Sequence, residues 1–261
     1  MKYAFMSFSA PNLTFAEMLE VATRYGYDGV EPRIDAKHAH GVEVHTSQEE
    51  RCQIRRLSED MQIQIACLAT SLKYANPEET EQMIDQTHER IDLAGDIGAP
   101  IIRVFGGRIP SEISREDAIE LVSESLCRVA EHAAERGVVI CLETHDDWCD
   151  PRHVAAVLAK VNHPAVAANW DIMHPVKRAN CTIDEAFDVL KPWIKHLHIH
   201  DGTDAGLVPI GTGDIDHRRV VQLLKTVGYE GFLSGEWINW EAYDVHLPRE
   251  LATMRQYEEE N

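Results

Sequence analysis

Short β-rich runs alternate with amphipathic stretches along nearly the whole chain, and this alternation restricts the fold more than any other feature of the sequence. The runs cover residues 3–8, 29–33, 63–69, 101–105, 138–143, 166–171, 194–200 and 232–237. Their starts lie roughly 25 to 40 residues apart, which leaves room for one helix and two loops in each interval. Strands separated by helices pair in parallel through right-handed crossovers. The first interval shows why the stretches between are helical. Thr14 and Glu17 have capping-box spacing, Phe15, Met18, Leu19, Ala22 and Tyr25 recur on one face, and Gly26 supplies a left-handed stop. The same periodicity predicts helices over 78–95, through Met83, Ile84, Ile91 and Ala94, and over 115–136, through Ile119, Val122, Leu126, Val129 and Ala133.

Eight such units build either a closed barrel or an open doubly wound sheet. A dinucleotide-binding sheet needs a G-x-G-x-x-G turn after its first strand, and here that place holds Ser7-Phe8-Ser9-Ala10-Pro11-Asn12. Gly211-Thr212-Gly213 lacks the third glycine. A chain of 261 residues is close to the size of one (β/α)8 unit. The expectation is therefore an α/β chain folded as a single TIM barrel domain over 1–261.

Composition narrows the partners. Hydrophobic residues make up 44% and charged residues 26%, enough for a sizeable core. The formal net charge of −19 repels phosphate backbones and anionic lipid, which argues against nucleic acid and membrane as partners. The six cysteines form no C-x-x-C pair, and the first residues show neither signal-peptide anatomy nor a long apolar run. Free thiols and a cytoplasmic location are the expectation.

Four late runs end in residues able to bind a metal: Glu143, Asp171, His198 and Glu236. In a barrel these ends converge on one mouth, where sites of this fold lie. Three carboxylates and an imidazole suit one divalent ion, Mn2+, Mg2+, Co2+ or Zn2+, and the cation offsets the repulsion among the acids. Each alone could cap a helix or pair with an arginine; their coincidence at four strand ends favours the site. His196, His198 and His200 share a face by strand period two. His196 lies about 6.6 Å deeper than His198 and reads as a core histidine, whereas His200 and Asp201 could contact substrate or hold His198 in its tautomer. Glu31, Arg33, Arg103 and His145 could read substrate or form ion pairs within the barrel. Trp237 and Trp240 could wall the pocket or simply pack.

These residues resemble the xylose-isomerase-like barrel superfamily, whose members include sugar phosphate isomerases and epimerases, ketohexose 3-epimerases, inosose dehydratases and an endonuclease branch. The resemblance runs along essentially the whole chain and is most specific at Leu142-Glu143-x-His145, Asp171-x-x-His174, His196-x-His198-x-x-Asp201, Gly211-x-Gly213-x-Ile215-Asp216 and Gly228-Tyr229-x-Gly231 leading to Glu236-Trp237. It implies that Glu143, Asp171, His198 and Glu236 bind one divalent metal. It also implies that Glu143 and Glu236 take and return a carbon-bound proton through a metal-stabilised enediolate, and that His174 contacts a substrate oxygen. The implied activity is isomerisation or epimerisation of a small sugar, sugar phosphate or polyol-derived ketone. A dehydratase-type lyase on the same site, or a barrel that only binds its ligand, are the alternatives. The implied assembly is a homodimer or homotetramer. Two departures stand out. No arginine follows His198 where ketohexose epimerases carry one, and the third and fourth strands lack the extra histidines of the endonuclease branch.

Overall fold

The computed structural model describes residues 1–260. Its strands are β1 (Lys2–Met6), β2 (Gly29–Glu31), β3 (Gln64–Ile65), β4 (Leu68–Lys73), β5 (Ile101–Phe105), β6 (Val139–Glu143), β7 (Val166–Asp171), β8 (Ile194–Ile199), β9 (Asp201–Thr203), β10 (Gly206–Val208) and β11 (Phe232–Gly235). All but β9 and β10 belong to one parallel sheet in the order β3-β2-β1-β11-β8-β7-β6-β5-β4. Only Ala66 and Cys67 separate β3 from β4, so the two ends of this order are halves of one barrel strand, and the sheet closes there. Backbone bonds from Ala66 N to Val30 O (2.9 Å) and from Ile34 N to Ala69 O (3.0 Å) join the seam. The chain is a (β/α)8 TIM barrel.

Around it lie α1 (Phe15–Tyr25), α2 (Gln48–Met61), α3 (Thr80–Ile97), α4 (Arg115–Glu135), α5 (Pro151–Val161), α6 (Met173–Ala179), α7 (Ile183–Leu190), α8 (His217–Thr226) and α9 (Tyr243–Glu260). The first helix forms as its sequence dictates. Thr14 and Glu17 close a reciprocal capping box, Phe15, Met18, Leu19 and Ala22 are buried, and Gly26 ends the helix at φ +85°. Ser47 with Glu50 and Thr182 with Glu185 repeat the box at α2 and α7.

The structure redraws some boundaries. The expected third strand, 63–69, is broken at Ala66–Cys67 and then continues to Lys73. The apolar run from Ile65 to Ala69 conceals the interruption, because Ala66 and Cys67 are as buried as the residues on either side of them. The second strand stops at Glu31, since Pro32 has no N–H for the ladder, and Arg33 rejoins the sheet through an isolated bridge to Ala69. An antiparallel hairpin, β9–β10, grows out of the end of β8, where no strand is expected.

Alternate residues of each strand face the barrel axis. The interior near the N-terminal ends of the strands is small and apolar, with Cys67, Ile101, Cys141 and Ala167 in one cluster and Ala4, Ala66 and Phe232 in another. Two residues further along the same strands come Arg103, Glu143 and Asn169, all fully buried. The polarity of the interior thus rises towards the C-terminal mouth.

Candidate metal centre at the mouth of the barrel

Glu143 ends β6, Asp171 ends β7, His198 lies near the end of β8, and Glu236 follows β11 directly. These strands are neighbours in the order β11-β8-β7-β6, so the four residues form an arc with the glutamates outside and Asp171 and His198 between them. Asp171 and His198 are level in the ladder. One ligand atom from each of the four lies within 4.8 Å of all the others, and all four residues are buried.

His198 is oriented from below. Its Nε2 lies 3.0 Å from Glu31 Oε1, and because a carboxylate only accepts, Nε2 carries the proton. Nδ1 is then turned to Glu143 Oε1 at 2.5 Å and Glu236 Oε2 at 3.3 Å. Two carboxylates facing one ring nitrogen need either a second imidazole proton or a cation. Burial opposes ionisation of the ring, yet Glu31, Glu143 and Glu236 together hold its pKa well above the ordinary histidine value. Glu236 shows the reciprocal effect: burial resists its charge, but His198 brings its carboxyl down to about 2.

The donor set fits a divalent cation. Glu143 Oε2 and Asp171 Oδ2 are buried oxygens that accept no hydrogen bond. Arg103 Nε at 3.3 Å and His200 Nε2 at 2.9 Å approach them out of line for one. Oxygen-rich ligands with a single imidazole suit the harder divalent ions. A residue group able to hold a metal ion is therefore present, and two smaller groups adjoin it, Glu31 with His196 and His198, and Asp171 with His174 and His200.

The remaining expected residues fall into two sets. His145, His174 and His200 line one side of the mouth as a chain of rings, with centroids 4.5 Å apart between the first two and 5.8 Å between the last two. His200 is raised to about 9: burial lowers it, and the Asp171 carboxylate overrides that effect. His174 moves the other way, lowered chiefly by burial, and its buried Nδ1 has no hydrogen-bond partner. His145 is a third exposed along its side chain and pairs with Asp146 at 3.1 Å.

The other set is buried and engaged by protein partners. Glu31 is fully buried between His196, at 2.8 Å, and His198, so it supports the histidines rather than facing the mouth. Asp201 is equally buried and accepts backbone N–H bonds from Gly202, Gly211, Gly213 and Ile215 at 2.9 to 3.2 Å; both its oxygens are spent on folding the following loop. Trp237 is 1% exposed, with its ring against Gly235 and against His246 of α9, which makes it core rather than pocket wall. Arg103 is buried below Glu143, donates to Thr70 O at 2.9 Å and stacks on Phe105 at 3.9 Å. Asn169 was not among the expected residues. Its Nδ2 donates to Glu143 Oε1 at 3.1 Å and lies 3.1 Å from His198 Nδ1. Its position two residues before Asp171, on the same face of β7, is the signal that would have found it.

The closed barrel agrees with comparison to known proteins. Residues 19–256 match the family model described as xylose isomerase-like TIM barrel. The chain belongs to that family. Among curated proteins it is 29% identical over 154 residues to a Mus musculus protein named "Putative hydroxypyruvate isomerase", covering 54% of each chain. A Xenopus laevis protein of the same name is 24% identical over 163 residues, 58% of each. The match thus spans little more than half the length of these relatives. Among solved structures the fold is similar to the probable 3-DHS dehydratase AsbF of petrobactin synthesis from Bacillus anthracis, with a TM-score of 0.82 at 22% identity over 98% of this chain and 99% of that one. It is also similar to 3-keto-D-glucoside 4-epimerase from E. coli, with a TM-score of 0.81 at 17% identity over 98% and 99%. Among the described residues, no helix is long and apolar enough to cross a membrane.

Proposed function

We propose that the protein is an isomerase or epimerase of a small sugar, sugar phosphate or polyol-derived ketone, working with one divalent cation held by Glu143, Asp171, His198 and Glu236. The observation that carries this reading is the arc itself: four buried ligand residues on four adjacent strand ends, with a glutamate at either extremity. When bound, the cation supplies Lewis acidity towards the substrate's carbonyl and hydroxyl oxygens.

The side chains then divide the work. Asp171 and His198 sit inside the arc and serve as anchors, His198 being fixed by Glu31. Glu236 keeps 9% of its side chain exposed and is held ionised, so it can accept the proton on the carbon next to the carbonyl from the open side of the site. Glu143, at the other end of the arc, is the candidate to return a proton to the opposite face. Asn169 and Arg103 fix its carboxylate. His174, with an unpartnered Nδ1, is placed to meet a substrate oxygen.

Incubating the metal-loaded protein with a panel of ketoses in D2O, followed by NMR of the recovered sugar, tests the reading. Deuterium is expected at the carbon adjacent to the carbonyl of at least one substrate, with no exchange after treatment with EDTA. Exchange that survives complete metal removal refutes it.

A further inference from the structure

Across the mouth from the four ligands stands a cation, Arg33, that has no carboxylate within ion-pair distance among the described residues. Arg33 follows β2, anchored by its backbone N–H to Ser7 Oγ at 2.8 Å and by its bridge to Ala69. Every acceptor its guanidinium meets is neutral: Ile34 O, Ala69 O at 3.4 Å and Ser71 Oγ at 2.6 Å. Those contacts use two Nη1 hydrogens and one Nη2 hydrogen. A guanidinium has five N–H donors, so Nε–H and one Nη2–H are left without an acceptor among the described residues. The nearby Asp35 is occupied, its carboxylate taken by Arg90 at 2.8 Å and by Ser71 N at 3.1 Å. Arg103, buried below Glu143, pairs with it at 3.3 Å.

The environment marks Arg33 as part of the site. Burial, and next to it the Arg103 charge, lowers its pKa to about 10 against the opposing pull of Asp35, Glu236 and Glu143, so it remains a cation at neutral pH within electrostatic range of two of the metal ligands. The Phe8 ring lies 6.0 Å from the guanidinium carbon and shields one side. A half-buried, planar cation with two spare donors is stabilised by an anion that accepts both, and a carboxylate matches that fork.

We propose that Arg33 binds a carboxylate of the substrate, so that the substrate is a hydroxy keto acid whose ketone and neighbouring hydroxyl face the four ligands while its carboxylate faces Arg33. The proposal rests on the reading of the four-ligand centre given above and narrows its substrate class. A single monovalent fork favours a carboxylate over a phosphate dianion, which calls for several donors or a backbone cradle.

Equilibrium binding separates this proposal from the catalytic one, because it needs no turnover. Calorimetry of the metal-loaded protein with D-glycerate, glycerol and glycerol 3-phosphate is expected to rank D-glycerate tightest. Arg33→Gln is expected to weaken D-glycerate about 10- to 100-fold, the range for charge-assisted hydrogen bonds, at unchanged metal content. Should Arg33→Gln melt below the assay temperature, Arg33→Lys decides: it keeps a point charge and loses the fork, and about tenfold weaker binding is expected. D-glycerate affinity unaltered in these variants overturns the carboxylate site, as does tighter binding of glycerol 3-phosphate than of D-glycerate by the wild type. Either result leaves proton exchange on neutral ketoses intact as evidence for the reaction. Conversely, Arg33-dependent binding without exchange on any ketone upholds the site and removes the reaction.

Discussion

The two halves of the barrel mouth are built on opposite principles. The half made by β6, β7, β8 and β11 brings three carboxylates and an imidazole within 4.8 Å of one another, an arrangement that a cation stabilises. The half made by β4 and the segments after β1 and β2 brings together Ser7, Arg33 and Ser71, where the guanidinium hydrogen-bonds only neutral partners. On the readings proposed above, one side takes a cation and the other an anion. Substrate oxygens between a metal and a guanidinium would be held from both ends, which is how a small, flexible molecule is kept in register for proton transfer.

The largest expected effect breaks the acidic half. Asp171→Asn removes a central anchor, and calorimetric titration with Mn2+ should show affinity lowered by 100-fold or more, on the order of 3 kcal/mol; affinity within threefold of wild type would mean that the metal sits elsewhere. Glu31→Gln acts on the same half indirectly. With the fold retained, loss of the carboxylate that holds His198 Nε2 should weaken the metal about 10- to 100-fold, as for other carboxylates behind a histidine ligand.

The basic half is best probed by pH, through His40 in the loop after Arg33. His40 accepts from Val42 N–H at 3.0 Å and bonds Arg33 O at 3.2 Å, and burial lowers it to about 4. The unfolded chain takes up this proton below about pH 6.5, and the folded chain does so only near 4. Its contribution is therefore fully present above pH 6.5 and is lost as pH falls, amounting to roughly 3 kcal/mol. Denaturant melts at pH 7 and pH 4 should show a larger fall for wild type than for His40→Asn; parallel falls would show that His40 is not the group responsible. The smallest effect is expected from Ser71→Ala, which removes one bond orienting Arg33. Affinity for D-glycerate should drop by a few fold, about 1 kcal/mol, with metal affinity unmoved.

The two halves also differed in how plainly the sequence disclosed them. Glu143, Asp171, His198 and Glu236 each close an apolar run, so strand periodicity alone sends them to the same mouth, and the barrel follows from the spacing of those runs. Depth along the axis is another matter. Glu31 ends its strand as Glu143 does, yet its contacts with His196 and His198 tie it to the histidines of β8 rather than leaving it free at the mouth. Asp201 opens β9, separated by one residue from the end of β8, but its partners are backbone amides up to fourteen residues later, and no side-chain pattern encodes them. The break at Ala66–Cys67 was hidden by unbroken apolarity, and the seam it creates is what brings Arg33 beside Ala69 and Ser71.

Anomalous scattering from a crystal soaked in Mn2+ tests the central claim most directly. The account predicts one strong peak per chain, bonded to Glu143, Asp171, His198 Nδ1 and Glu236. A peak seated only on Asp171, His174 and His200, or no bound ion at saturating Mn2+, would contradict it.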